Sequence, residues 1–310
     1  MSRIVISEFM DEDAVVRLTG ATSTAYQPDL VDRPDDLRRT IASAEVLIVR
    51  NRTRVDAALL DAAPGLRAVG RLGVGLDNID LPACKERGIT VWPATGANDL
   101  AVCEYVITTA MMLLRGAYLA SDRVAAGEWP RQSLIGREMS GRVMGLLGFG
   151  SIARQVAGCA RALGMQVIAH DPHLPAGDPA WAAATSVGFE QLMEGADVLS
   201  LHVPLTSQTW HVIDRAALAR MQPRAVLINA ARGGVVDEDA LASALREGRL
   251  AGAALDVFET EPLQAEAGSR LAGIDNVILT PHVAGVTEES NVRVSNLIAD
   301  KVLAHLKERV

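Results

Sequence analysis

The stretch Val143-Met144-Gly145-Leu146-Leu147-Gly148-Phe149-Gly150-Ser151-Ile152-Ala153 decides how this chain is read. The apolar run 143–147 has the content of a buried strand, it passes directly into a Gly-x-Gly turn, and a helical pattern then occupies 152–163. A second strand is predicted at 166–169, so the glycines sit at the first turn of a βαβ unit. In that setting Gly148 permits the tight turn, Gly150 lets a pyrophosphate approach the backbone, and Ala153 is small enough for close packing of helix on strand. The helix start at Gly150, Ser151 and Ile152 presents unpaired N–H groups to an anion. Asp171 lies 21 residues beyond Gly150, where a carboxylate accepts from the adenosine ribose hydroxyls and repels a 2′-phosphate. The predicted cofactor is therefore NAD and not NADP. His170 and His173 flank Asp171, but no further ligand has usable spacing and Pro172 explains a turn more simply, so no metal is predicted.

Outward from this unit the pattern repeats. Strands are predicted at 197–201, 225–229, 252–255 and 277–279, separated by helical segments such as 237–246. The first third has the same rhythm, with short apolar runs at 4–6, 46–49, 66–69 and 89–92. Alternating strands and crossover helices define an α/β chain of two doubly wound parallel-sheet domains, a Rossmann-type nucleotide domain and a smaller flavodoxin-like one. The turn-rich Pro93-Ala94-Thr95-Gly96-Ala97 precedes a long apolar helix predicted over 99–119, and the boundary is placed there, giving 1–97 and 98–285. The final helical segment, 288–307, has no strand after it.

Composition narrows the function classes. The chain has 310 residues, 49% of them hydrophobic and 22% charged, which suits two globular domains and excludes general disorder. A net charge of −8 argues against nucleic acid and anionic lipid as partners. Cys84, Cys103 and Cys159 are too few and too widely spaced for a disulfide framework, which fits a reducing cytoplasm. Glu8, Asp11, Glu12 and Asp13 follow the first apolar run in the wrong charge order for a signal peptide. The most membrane-like stretch, 101–120, is broken by Glu104 and Arg115, and no membrane association is expected.

A second glycine cluster, Gly70-Arg71-Leu72-Gly73-Val74-Gly75, lacks the continuation of a dinucleotide fingerprint. It reads either as a loop whose N–H groups form an anion nest or as a plain tight turn.

Three polar residues fall on loops predicted to follow strands of the second domain. They are Arg232 in Asn229-Ala230-Ala231-Arg232-Gly233-Gly234, Glu261 in Asp256-Val257-Phe258-Glu259-Thr260-Glu261-Pro262, and His282 in Thr280-Pro281-His282-Val283-Ala284-Gly285. Hydride exchange between a hydroxy acid and a carbonyl needs a cation for the carboxylate and a group titrating near neutrality for the hydroxyl proton. Arg232 suits the first role and His282 the second, and a carboxylate such as Glu261 beside the imidazolium favours its charged form.

These segments, with the glycine turn, resemble in order the successive signatures of the D-isomer-specific 2-hydroxyacid dehydrogenases, and the likeness covers essentially the whole chain. It implies that Arg232, Glu261 and His282 are the catalytic set and that the last helix returns to the first domain, so that 286–310 completes a substrate-binding domain begun by 1–97. It also implies an NAD-binding domain over 98–285 that forms a homodimer through the long helix. Cofactor contacts are implied at Val203, Pro204, Thr209, Ala230, Asp256 and Gly285, beside Gly148, Gly150, Ser151, Ile152 and Asp171. Transcriptional corepressors that share this fold give an alternative of another class, an NAD(H)-sensing binding protein, which the charged loop described next disfavours.

Val49-Arg50-Asn51-Arg52-Thr53-Arg54 concentrates positive charge in an otherwise acidic chain and points to an anionic substrate group. The family's phosphoglycerate dehydrogenases share this pattern. By that resemblance Arg50 and Arg52 contact a distal anion, the backbone of Gly73, Val74 and Gly75 contacts the carboxylate, and Arg131 approaches the partner subunit's site. Together with Val5-Ile6-Ser7-Glu8-Phe9-Met10-Asp11-Glu12, these segments look most like the (S)-sulfolactate dehydrogenases, whose substrate is a 2-hydroxy acid with a 3-sulfonate. The S label is compatible with a D-specific site, because the sulfur-bearing carbon outranks the carboxyl carbon in priority. D-3-phosphoglycerate, or another 2-hydroxy acid, is the alternative substrate.

Overall fold

The computed structural model describes residues 2–307 and divides into two compact units, 2–98 with 286–307, and 99–285. The outer limits expected at residue 1 and at 308–310 lie outside the described residues.

In the first unit five parallel strands, β1 (Ile4–Ile6), β2 (Thr24–Tyr26), β3 (Val46–Val49), β4 (Ala68–Arg71) and β5 (Thr90–Pro93), stand in the order β2-β1-β3-β4-β5. This is the flavodoxin-like order. β1 and β3 are buried throughout, as expected for strands covered on both faces. One face packs Leu37, Ile41, Leu59 and Leu60, and the other Leu18, Val294, Ile298 and Val302. The helix Glu288–Lys307 thus belongs to the core of this unit. Its Ile298 passes so close to β4 that a Cβ on Gly70 would stand 2.6 Å from the Ile298 Cγ2 methyl. Gly70 is therefore a packing glycine inside a strand, shifted two residues from the predicted 66–69 run.

The second unit holds β6 (Val143–Leu147), β7 (Gln166–His170), β8 (Thr185–Ser186), β9 (Val198–Leu201), β10 (Val226–Asn229), β11 (Gly252–Leu255) and β12 (Val277–Leu279). All are parallel, in the order β12-β11-β10-β9-β6-β7-β8. The direction of winding reverses between β9 and β6, and ligands of such sheets bind outside the strand carboxyl ends at that point. Helices are punctuated by aspartates. Asp214 and Asp237 accept from the amides of Ala217 and Ala240, each at 2.8 Å, and so cap the helices Arg215–Arg220 and Glu238–Arg246.

The long apolar helix is shorter than the sequence pattern indicates. It runs Asp99–Arg115 and buries Val102, Val106, Ala110, Leu113 and Leu114 at helical spacing. Gly116 then turns left-handed at φ 64°, and a 3-10 turn, Ala117–Ala120, replaces the last predicted turn. No single helix among the described residues is long and apolar enough to cross a membrane.

Candidate active site

The three polar loops follow β10, β11 and β12, which adjoin one another in register (Asn229 beside Leu255, Leu255 beside Leu279). Parallel strands deliver their following loops to one end of the sheet, so residues about 50 positions apart in sequence become neighbours. At that end the His282 Nδ1 and the Glu261 Oε2 are 2.7 Å apart. A carboxylate only accepts, so Nδ1–H is the donor and Nε2 is the ring nitrogen left to exchange a proton with substrate. The two side chains remain 35% and 32% exposed, enough to meet a small molecule.

Burial pushes the Glu261 carboxyl up, but the His282 imidazole, the Phe258 amide at 3.1 Å and the nearby Arg232 guanidinium outweigh it. The carboxyl therefore titrates below its ordinary value. Glu259, only two residues away, turns elsewhere, accepting from the Glu238 amide at 3.2 Å and lying 3.0 Å from the His211 Nε2. The Arg232 loop is fixed by buried Asn229, which donates to the Arg232 carbonyl at 2.9 Å and accepts from the Ala231 amide at 3.1 Å. The neighbouring Gly233 lies so tightly under the Phe258 carbonyl that any side chain there would overlap it. The Arg232 and Glu261 loops are thus pressed backbone to backbone.

His282 itself has φ 57°, a left-handed conformation that costs energy for a residue with a Cβ. The compensation comes from buried Asp256. Its carboxylate accepts from Val283 N, Ala284 N and the Thr280 hydroxyl at 2.8, 2.8 and 2.6 Å, while its carbonyl accepts from His282 N at 2.8 Å.

The same end of the sheet carries the nucleotide features. Gly148 has φ 85°, and a Cβ there would lie 2.6 Å from the His202 carbonyl oxygen, so only glycine fits. Around Gly150 a Cβ would meet nothing within 4 Å, which leaves the open approach a pyrophosphate requires. The helix Ser151–Ala162 starts there without a side-chain cap, so the first N–H groups at Ser151 and Ile152 suit an anion. Asp171, just past β7, accepts from Phe149 N and His173 N, each at 2.9 Å. These bonds fix the carboxylate against the glycine turn and leave it lone pairs for ribose hydroxyls. Val203 and Pro204 follow β9. The Thr209 hydroxyl donates to the Pro204 carbonyl at 2.6 Å and accepts from Thr206 N at 2.7 Å, folding that loop. Ala230 follows β10, and Gly285 closes the unit. These features fit NAD.

In the first unit, Arg50 and Arg52 follow β3. Glu8 folds their loop by accepting from the amides of Arg50, Arg52 and Thr53 at 2.8, 3.2 and 2.9 Å, and Asn78 donates to the carbonyls of Arg50 and Thr53. Arg50 donates to Asn291 Oδ1 and lies 5.6 Å from the Phe9 ring centroid. Burial pushes its guanidinium pKa down, against the opposing pull of Glu8. Arg52 is exposed and paired with Asp32. Gly73, Val74 and Gly75 form the loop after β4, where Gly73 donates to the Arg71 carbonyl at 2.8 Å and accepts from Ala94 N at 2.9 Å. Arg131 is exposed in the second unit, its amide bonded to the Trp129 carbonyl. Sequence reasoning did not find the organising roles of Glu8, Asn78, Asn291 and Thr280. Glu8 had a local signal as a carboxylate just after β1, and Thr280 as part of the His282 motif.

A Rossmann-type sheet carrying a histidine–carboxylate pair and an arginine at its ligand-binding end defines a nicotinamide-dependent dehydrogenase. Residues 107–284 match the family model described as D-isomer specific 2-hydroxyacid dehydrogenase, NAD binding domain. The chain is 56% identical over 303 residues to an (S)-sulfolactate dehydrogenase of Chromohalobacter salexigens, covering 97% of each. It is 40% identical to a chloroplastic D-3-phosphoglycerate dehydrogenase of Arabidopsis thaliana, covering 98% of this chain and 48% of that one. Among solved structures, D-lactate dehydrogenase of Aquifex aeolicus, complexed with NAD and lactic acid, superposes with a TM-score of 0.87 at 29% identity, covering 98% and 96%. The chain belongs to the D-isomer-specific 2-hydroxyacid dehydrogenase family and is an NAD-dependent oxidoreductase.

Proposed function

We propose that the substrate is a small 2-hydroxy acid of D configuration with a second anion beyond C2, and that this acid is (S)-3-sulfolactate. The observation that carries the chemistry is the 2.7 Å contact of His282 and Glu261 beside Arg232. With Nδ1–H held by Glu261, Nε2 takes the hydroxyl proton in oxidation and returns it in reduction. Arg232 holds the carboxylate and polarises the C2 oxygen. NAD, when bound, supplies the hydride acceptor. Gly148, Gly150, Ser151, Ile152, Asp171, Val203, Pro204, Thr209, Ala230, Asp256 and Gly285 are the residues proposed to hold it.

Arg50 and Arg52 are proposed to recognise the distal anion, with the backbone of Gly73, Val74 and Gly75 contributing to the carboxylate. The 56% identity to a sulfolactate dehydrogenase supports the sulfonate, and the phosphoglycerate dehydrogenase likeness supports a phosphate as the second reading. An NAD(H)-linked screen of sulfolactate, phosphoglycerate, glycerate, lactate and malate separates them. Highest kcat/KM for sulfolactate is expected, and preference for phosphoglycerate would reassign the distal group.

A homodimer through the NAD-binding units is proposed as well. Tyr118, Trp129 and Ile135, in the segment after the long helix, are exposed apolar side chains that such an interface would cover, and Arg131 lies in the same segment. Sedimentation of the purified protein tests it. A cytoplasmic location is proposed from the three free cysteines.

A further inference from the structure

Tyr105, on the helix Asp99–Arg115, places its hydroxyl 2.7 Å from the Thr280 Oγ1, and 175 positions separate the two in sequence. The direction of that bond follows from the next one. The Thr280 hydroxyl is 2.6 Å from the Asp256 Oδ1, and a carboxylate accepts only, so the threonine proton points to Asp256. The tyrosine must then be the donor to Thr280. Burial pushes the Tyr105 phenol up to about 12, which keeps that proton in place across the working range. The chain of donors runs Tyr105 to Thr280 to Asp256 and ends on the carboxylate that also holds Val283 N and Ala284 N.

We propose that Tyr105 is a positioning residue for hydride and proton transfer, setting through Thr280 and Asp256 the conformation of the segment that carries His282. Asp256 grips this segment on both sides of a left-handed residue, so its own orientation decides where the imidazole stands. Without Tyr105, the Thr280 oxygen loses its donor, and its bond to Asp256 alone is left to hold the hydroxyl in place. The long core helix, and not only the loop itself, thereby sets the catalytic geometry. The inference rests on the assignment of proton transfer to His282.

The test measures single-turnover hydride transfer, NADH affinity and KM in Tyr105→Phe, Thr280→Val, Thr280→Ser and the Tyr105→Phe/Thr280→Val double variant. Misplacement of a catalytic group by a fraction of an ångström is expected to slow transfer about five- to fifty-fold in Tyr105→Phe and Thr280→Val. KM should stay within about twofold, and any loss of NADH affinity, which Asp256 also serves, should be smaller than the loss of rate. Thr280→Ser keeps the hydroxyl and should recover most of the rate. The double variant should be no slower than the worse single one, because both break one chain. Full-rate transfer in Tyr105→Phe, or losses that multiply in the double variant, would overturn the proposal. So would a change confined to KM or to thermal stability. Should Thr280→Val fail to fold, Tyr105→Phe and Thr280→Ser decide between the outcomes. His282→Ala, run in parallel, separates this inference from its foundation, since an active His282→Ala enzyme would refute the proton-transfer assignment itself.

Discussion

Arg50 and Asn291 meet through one 2.9 Å hydrogen bond from the guanidinium Nη2 to the amide Oδ1, so this half-buried cation is oriented by a neutral partner. Arg52, two residues on, faces Asp32 instead. The two arginines are therefore unequal as anion ligands. Charge-assisted hydrogen bonds are worth about 1.5–3 kcal/mol, roughly ten- to hundredfold in kcat/KM. Arg50→Ala should cost that much on sulfolactate or phosphoglycerate and little on lactate or glycerate. On sulfolactate or phosphoglycerate Arg52→Ala should cost less than Arg50→Ala does, because Arg52 is exposed and must give up Asp32 to reach the anion. Paired kcat/KM values decide, and equal losses on both substrate types would mean that Arg50 holds the loop or the shared carboxylate.

His282→Ala should lower single-turnover hydride transfer by about 10²–10⁴-fold and leave NADH binding near normal, since the imidazole is assigned to the proton and not to the cofactor. Stopped-flow transients with a fluorescence titration of NADH measure both. A variant that kept most of its rate would remove His282 from the mechanism.

Glu261 has a pH signature. Its carboxyl is depressed below the ordinary value in the folded protein, so the unfolded chain binds the proton more readily. Its contribution to stability is present above the unfolded carboxylate pKa and is lost as pH falls through the folded one. Glu261→Gln should therefore be less stable than wild type at neutral pH, and the two melting temperatures should converge in acid. Melting curves from pH 7 to pH 3 provide the check, and a constant gap would place the carboxylate outside this linkage. The same variant leaves Nδ1 without its charged acceptor, so its turnover should fall even at neutral pH.

Asp171→Ala should weaken NAD binding and narrow the preference over NADP, because it removes the ribose acceptor and the repulsive charge together. The change also frees Phe149 N and His173 N from their acceptor. Michaelis constants for both cofactors measure the ratio. An unchanged ratio would locate the ribose contact elsewhere.

What the sequence made legible divides along a physical line. β1, β3, β6 and β11 are found where their apolar runs predict, because strands buried on both faces need continuous aliphatic sequence. β2 and β8 were not foreseen. Both are short edge strands, and Thr185–Ser186 is exposed, so no apolar run marks them. The long helix ended early because Gly116 overrides an apolar pattern that continues past it. Arg232, Glu261 and His282 could be named because each lies on a motif beside a predicted strand end. Tyr105 and Asn291 could not. Their partners lie 175 and 241 positions away, and nothing local to a tyrosine in an apolar helix or an asparagine in the last helix announces such contacts.

The in-register adjacency of β10, β11 and β12 also dictates where this chain tolerates a change of length. A residue inserted into any of these strands would reverse the facing of every side chain beyond it and slide one catalytic loop past its neighbours. The connection from the Glu261 loop to β12 returns to the opposite end of the sheet, by way of the helix Ala265–Gly268 and the exposed turn at Gly273. A Cβ at Gly273 would meet nothing within 4 Å. That turn is the natural place for an epitope, a fluorophore or a grafted domain, because a graft there leaves the strand alignment that spaces Arg232, Glu261 and His282 untouched.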